Sequence, residues 1–224
     1  FLDQNGVKHI NDDIFSQIIN LKTTDFLFFI SSSTIKRFCD HPTISKHIQL
    51  DKDKVQKTNY HKIHRLVTEY YRQLLPKDKQ YYIASFSLKK GSGLYGLIFG
   101  SGHVLGIEKF LKTCWELDSE RGEANFDIDD DNILPGQLDL FREGVSRPKK
   151  VDLFEDELRK GILNGQLTTD REIYLFTINN SFTPKHANGV IKKLVSENLI
   201  IKSSLNLTSK VCQQNALINK IKLK

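Results

Sequence analysis

The chain has 224 residues, of which 39% are apolar and 10% aromatic, enough to bury a core in one medium domain or two small ones. No apolar run reaches the roughly 18–20 residues that cross a bilayer, and the first residues lack the pattern of a secretory signal, so a membrane span is not expected and a cytoplasmic location is. The net charge of +6 is uneven: residues 1–140 carry 18 basic and 19 acidic side chains, whereas residues 141–224 carry 15 and 8. A compact basic segment of that size attracts phosphates.

In chain order, "FLDQNG" reads as the end of a strand. "NDDIFSQIINL" reads as a helix with Asn11 or Asp12 as N-cap and Ile14, Ile18 and Leu21 on one face. "TDFLFFISSS" is a continuous apolar run, which predicts a strand buried on both faces of a parallel sheet. Strand, helix, strand in this order predicts a right-handed parallel crossover. "SSSTIKRF" then starts a short serine-capped helix, and "YHKIHRLVTEYYRQLL" is a longer amphipathic helix ending before Pro76. His61 and His64 stand beside Lys62 and Arg65, which disfavour a metal cation and point to a solvated helix face.

"QYYIASFSLKK" and "GLYGLIFGS" are strand patterns joined by a glycine-containing turn, predicting an antiparallel hairpin. "GHVLGIEKFLKTCWELD" follows as a helix with Leu105, Phe110, Leu111, Cys114 and Trp115 on its apolar side. Gly100, Ser101 and Gly102 read as a turn and helix cap rather than a phosphate cradle, because they follow an antiparallel strand. The fold class is therefore α/β: the later half of a sheet ending in an antiparallel hairpin, over residues 1–118. Cys39, Cys114 and Cys212 lie far apart with no CxxC pair, and so read as reduced thiols without a metal.

Regular periodicity disappears between Asp118 and Lys150. "NFDIDDDN" lacks the sixth-position glycine and terminal Glu of a calcium loop, and residues 119–150 read as a solvated acidic linker. Within it, "QLDLF" matches the pentapeptide by which bacterial DNA enzymes dock on the sliding clamp: Leu138, Leu140 and Phe141 would fill apolar pockets and Gln137 would anchor them. A tether packed between two domains is the alternative.

Residues 151–224 predict a small winged helix-turn-helix: one helix closed by Gly165, a second element, a helix opened by Thr183 and Pro184, then a ribbon. If the last helix is the recognition helix, Lys185, His186, Asn188, Lys192 and Lys193 lie at or near its exposed face, and Val190, Ile191, Leu194 and Val195 pack inward.

Taken together, "FLDQNGVKHI", "TDFLFFISSSTIKRF", "GLYGLIFGSGHVLGIEKFLKTCWELD" and "FTPKHANGVIKKLVSENLI" resemble the three-Cys-motif partner family, TcmP, bacterial proteins described as methyltransferase-like. The resemblance covers nearly all of the chain, which looks like the C-terminal part of such a protein. It implies a Rossmann-like methyltransferase sheet followed by a helical module. It also implies S-adenosylmethionine as cofactor, with the cofactor-binding half absent from this sequence, and a three-cysteine protein as partner.

The family's Asp-Pro-Phe-Gly-like motif falls on Asp3, Gln4, Asn5 and Gly6, where only Asp3 and Gly6 match; Asp3 would accept hydrogen bonds from a target amine. Ligands of open α/β sheets bind beyond the carboxyl ends of the strands. That rule places Asp3, Gln4, Asn5, Ser31, Ser32 and Ser33 on one rim, with Arg37 one turn further on toward a phosphate. Capping by the serines and pairing of Arg37 with an acid is the alternative. Three functions follow as expectations: a methyltransferase-like protein acting on or guided to nucleic acid, a non-catalytic adaptor joining the three-cysteine protein to DNA, or a purely protein-binding module whose winged helix binds protein.

Overall fold

In the computed structural model, which describes residues 10–21, 23–129, 149–201 and 204–224, the first helix begins where Asn11 Oδ1 accepts the N–H of Ile14 at 2.9 Å. This helix, α1 (Asp12–Asn20), turns Phe15 and Ile19 into the core. Leu21 is exposed, and Ile14 and Ile18 are only half-buried. The predicted apolar face is thus rotated by one residue, because the aromatic ring of Phe15 fills more of the core than the isoleucines beside it.

Strand β1 (Phe26–Ser31) alternates buried and half-buried side chains. It runs antiparallel to β3 (Gly93–Ser101), which is also antiparallel to β2 (Tyr82–Lys90), and the order is β1-β3-β2. β1 is therefore not buried on both faces beside a described parallel neighbour as its composition predicted. β3 returns between β1 and β2, leaving those two parallel to each other. The first strand of the expected crossover falls within residues 1–9, outside the described residues.

The β2–β3 hairpin turns through Gly91 at φ +58, in the left-handed region that favours glycine. Gly100 lies within β3 rather than in a turn: a Cβ there would come 2.1 Å from the Phe26 ring, which stacks on Phe28 at 4.3 Å. The helix that follows, α6 (Val104–Leu117), is capped by His103, whose Nδ1 accepts the N–H of Leu105 at 3.1 Å. Ile107, Leu111, Cys114 and Trp115 are buried, and Phe110 stacks on Phe99 at 4.9 Å; Leu105 faces outward.

The opposite face of the sheet packs on α1 and on α5 (Ile63–Gln73) around Phe15, Phe28, Ile30, Val67 and Tyr71. Between β1 and α5 lie α2 (Ser32–Phe38), α3 (Pro42–Ser45) and α4 (Lys52–Lys57). The Lys36 ammonium donates to Val55 O at 3.1 Å, to Gln56 O at 2.8 Å and to Thr58 O, closing the C-terminus of α4.

His64 is not on a solvated face but fully buried. Its Nε2 lies 3.2 Å from Glu123 Oε1, and Glu123 also accepts from Arg65 Nε and, at 2.9 Å, from Arg65 Nη2. Glu123 is delivered by a segment expected to be solvated linker. Residues 123–125 instead run beside β2: Ser87 N–H donates to Glu123 O at 2.7 Å, and Asn125 N–H to Ser87 O at 3.2 Å. Ala124 and Ile128 are buried. Three or four residues are too few for a periodic signal, which is why composition alone reads this stretch as linker.

By its contacts the chain divides into two units, Phe1–Asp118 with Glu123–Asp130, and Ser119–Gly122 with Asp131–Lys224. The second contains α7 (Lys150–Leu163), α8 (Asp170–Asn179) and α9 (Pro184–Ser196). Phe154 of α7 stacks on Phe182 at 3.9 Å, and Leu158, Ile173, Tyr174, Ala187, Val190 and Leu194 complete the core. All three helices end by turning one residue into the left-handed region: Gly165 at φ +71, Ser181 at +62 and Asn198 at +64. The 6→1 hydrogen bonds that satisfy the last carbonyls follow, as in Phe182 N–H to Thr177 O at 3.0 Å and Leu199 N–H to Leu194 O at 3.0 Å.

Candidate nucleic-acid interface

Helix α9 starts at Thr183, with Pro184 in its first turn. Thr183 N–H donates to His186 Nδ1 at 3.3 Å, and the Thr183 hydroxyl lies 3.0 Å from the same nitrogen. The imidazole also packs edge-on to Phe182 at 5.2 Å. Burial, joined by the charges of Lys185 and Lys150, lowers the His186 pKa from its ordinary value, so this side chain is a neutral cap of the helix. It does not stand out toward a ligand as its position in the sequence suggested.

The remaining candidates divide in two. Lys193 reaches back to Glu155 of α7 at 2.5 Å, and Arg159 of α7 pairs with Glu197 at 2.5 Å, so one flank of α9 is stitched to α7. Lys185, Asn188 and Lys192 are exposed. Their spacing of three and four residues puts them on one stripe, with Ser196 one turn further on. Ala187, Val190 and Leu194 lie opposite and are buried, whereas Ile191 and Val195 are only half-buried.

The ribbon expected after α9 is built from short pairings. Thr169 bridges Lys220 and Ile200 bridges Leu223, both antiparallel, with Ile221 N–H donating to Thr168 O at 2.7 Å and Ile201 N–H to Lys222 O at 2.9 Å. The loop between these strands is tied down by α8. Asp170, fully buried, accepts from Asn206 N–H at 3.2 Å, Asn219 N–H at 3.2 Å and Asn219 Nδ2 at 2.9 Å. Arg171 Nε donates to Val211 O at 2.6 Å, and its Nη2 to Gln213 O at 3.1 Å. Thr169 and Glu172 form a capping box that opens α8. Backbone N–H donation from Thr168 leads the causes that lower the Glu172 pKa. These two consecutive residues, Asp170 and Arg171, were not singled out in the sequence; a buried Asp immediately after an N-cap Thr carries no periodic signal of its own.

Charge is segregated within this unit. Residues 184–224 hold eight lysines and one acid, Glu197, a net of +7, while residues 149–183 hold five basic and six acidic side chains. Lys210, Lys220 and Lys222 of the ribbon are exposed. The positive field therefore belongs to α9 and the ribbon, and the acids of α7 lie behind them in the sequence and pair with their flank.

Three helices followed by a ribbon, with the third helix exposing a polar stripe, define a winged helix-turn-helix. Residues 127–205 match the family model of the GMT-like wHTH domain, a span that takes in α7, α8 and α9. No curated protein and no solved structure matches the chain. A winged helix of this kind is consistent with DNA binding.

The rim candidates of the α/β unit are placed differently. Ser31 caps α2: its Oγ accepts from Thr34 N–H at 3.2 Å and from the Thr34 hydroxyl at 2.8 Å. Ser32 is fully buried and its Oγ has no hydrogen-bond partner among the described residues. Ser33 is half-buried and Arg37 exposed. Asp3, Gln4, Asn5 and Gly6, and the tag residues Gln137, Leu138, Leu140 and Phe141, lie outside the described residues. Cys39 and Cys114 are buried and Cys212 is half-buried. Among the described residues no helix is long and apolar enough to cross a membrane.

Proposed function

We propose that the C-terminal unit binds duplex DNA through the stripe Lys185, Asn188 and Lys192 of α9 and the lysines of the ribbon, and thereby guides the rest of the protein to nucleic acid. The observation that carries this reading is the segregation of charge. A net of +7 is concentrated on residues 184–224, and all three α9 lysines in that segment are exposed, Lys193 paired with Glu155 and Lys185 and Lys192 on the open stripe. Exposed lysines can neutralise DNA phosphates, which releases the counterions condensed on the duplex. Asn188, between the two lysines, has the donor and acceptor pair that reads a base edge. The test is fluorescence anisotropy of the full chain with a labelled duplex at low salt: binding that Lys185→Glu with Lys192→Glu abolishes supports the reading, and equal binding by parent and variant refutes it.

The guided part is read as a TcmP-like, S-adenosylmethionine-dependent methyltransferase sheet working with a three-cysteine partner protein. Its support is the resemblance together with the strand arrangement, in which β1 and β2 run parallel on either side of the antiparallel β3, as a Rossmann-like sheet ending in a hairpin requires. Calorimetric titration of S-adenosylmethionine tests it, with a chain extended upstream as the comparison. The alternative is a non-catalytic adaptor joining the three-cysteine protein to DNA. Recovery of the three-cysteine protein by a chain that binds no S-adenosylmethionine would select it. Docking on the sliding clamp through Gln137, Leu138, Leu140 and Phe141 is tested by loss of clamp recovery in Leu140→Ala with Phe141→Ala.

A further inference from the structure

Gly189 sits in the interior of α9, five residues after its start and seven before its end. A glycine there is costly, since it gives up more backbone freedom than any other residue and lowers helix propensity. Such a cost is usually offset by close packing: Gly161 of α7 is an example, because a Cβ there would come 2.8 Å from Leu167 Cδ1. Gly189 has no such reason. A Cβ built on it meets nothing within 4 Å, and its backbone is not in the left-handed region. Neither packing inside the described unit nor conformation calls for glycine at this position.

Its place on the helix supplies another reason. Gly189 follows Asn188, lies one turn after Lys185 and three residues before Lys192, and so falls on the exposed stripe. The stripe therefore carries long cationic side chains on either side of a position with no side chain, beside an amide. That is a notch flanked by phosphate-binding groups.

We propose that duplex DNA makes its closest approach to α9 at Gly189, so that the helix backbone seats deep in the major groove and Asn188 reaches the N6 and N7 edge of an adenine. The proposal rests on the DNA-binding reading above and specifies how the groove is read. A methyl group at residue 189 would hold the helix away from the base edges by about the thickness of one methyl, which bidentate hydrogen bonds of ordinary length do not tolerate. The lysines, on flexible stems, would still reach phosphates.

The folded unit and the complex thus make opposite demands on this residue. In the full chain, Gly189→Ala should raise the hydrogen-exchange protection of the α9 amides about threefold to fivefold, as expected for replacing a half-buried helical glycine whose new Cβ meets open space. The same variant should weaken binding to a labelled duplex pool, randomised over about one helical turn, roughly tenfold or more. Selection from that pool by the parent should enrich an adenine at a fixed place, and Asn188→Ala should lose that enrichment while keeping its salt-dependent binding. Better protection with unchanged affinity would overturn the proposal while the DNA-binding reading stands, and so would reduced protection, which would make Gly189 a structural residue. Absence of low-salt binding by the parent would overturn both.

Discussion

Several cations of the α/β unit are engaged by groups of the fold, whereas Lys185 and Lys192 of α9 stand on an exposed stripe. Lys36 is occupied by three backbone carbonyls, Arg65 by both oxygens of Glu123, and Arg72 donates twice to Ile83 O, at 2.7 and 3.2 Å. Burial lowers the Arg72 pKa, a sign that this guanidinium serves the fold despite the desolvation it suffers. Lys185 and Lys192, by contrast, stay exposed on a helix whose other flank is held by two ion pairs to α7. Sequence composition counts all these side chains alike, but only the second set can neutralise phosphates without dismantling the protein.

Glu123→Ala should strand His64 and Arg65 and destabilise the α/β unit by about 3 kcal/mol, the low end for a broken buried pair because the Arg65 side chain is 45% exposed. Denaturant titration followed by Trp115, the only tryptophan, which lies in the buried face of α6, reports on the surroundings of that helix. A midpoint unchanged from the parent would mean that these charges are not structural. On the exposed stripe, Lys185→Glu with Lys192→Glu should lower duplex affinity on the order of 100-fold at low salt while the Trp115 midpoint stays put.

A packing change should have an intermediate effect. Gly100→Ala would press a methyl into the Phe26 ring, itself confined by Phe28 and Tyr81, and should cost about 2 kcal/mol by overpacking, again read by Trp115. Lys193→Ala sharpens the contrast: because Lys193 is held by Glu155, it should change duplex affinity much less than Lys192→Ala does. The smallest effect is on pH. The folded His186 pKa lies below its unfolded value, so the stability this neutral cap contributes is present above the ordinary histidine pKa and is lost as pH falls from there through the folded pKa. Exchange protection of the first turn of α9 should decline over that window in the parent and decline less in His186→Gln.

Much of this architecture was legible because the elements are long and strongly patterned. The β2–β3 hairpin, α6, and the helix-helix-helix-ribbon order of the C-terminal unit all follow from periodicity and from punctuation by Gly91, Gly165, Thr183 and Pro184. What periodicity could not supply was pairing partners. The apolar run of β1 did not reveal that an antiparallel strand lies beside it, since composition reports burial and not direction. Glu123 and residues 123–125 were invisible for the same reason, their roles being fixed by His64, Arg65 and Ser87 from distant positions.

The interface divides in the same way. Helical spacing alone put Lys185, Asn188 and Lys192 on one face as candidates, and the structure leaves them exposed together. His186 and Lys193 share the residue types of an interface but are occupied by Thr183 and Glu155, which spacing along one helix cannot disclose. Asp170 and Arg171 escaped because what they fasten, the ribbon loop, lies 36 residues or more further along the chain.

The most direct test of the central claim is the salt dependence of duplex affinity for the full chain, measured for the parent and for Lys185→Ala with Lys192→Ala. If exposed lysines of α9 and the ribbon carry the binding, log K should fall linearly with log salt with a slope of about −4, and the double variant should be shallower by about two. Binding that does not respond to salt, or a slope that the double variant leaves unchanged, would contradict the account.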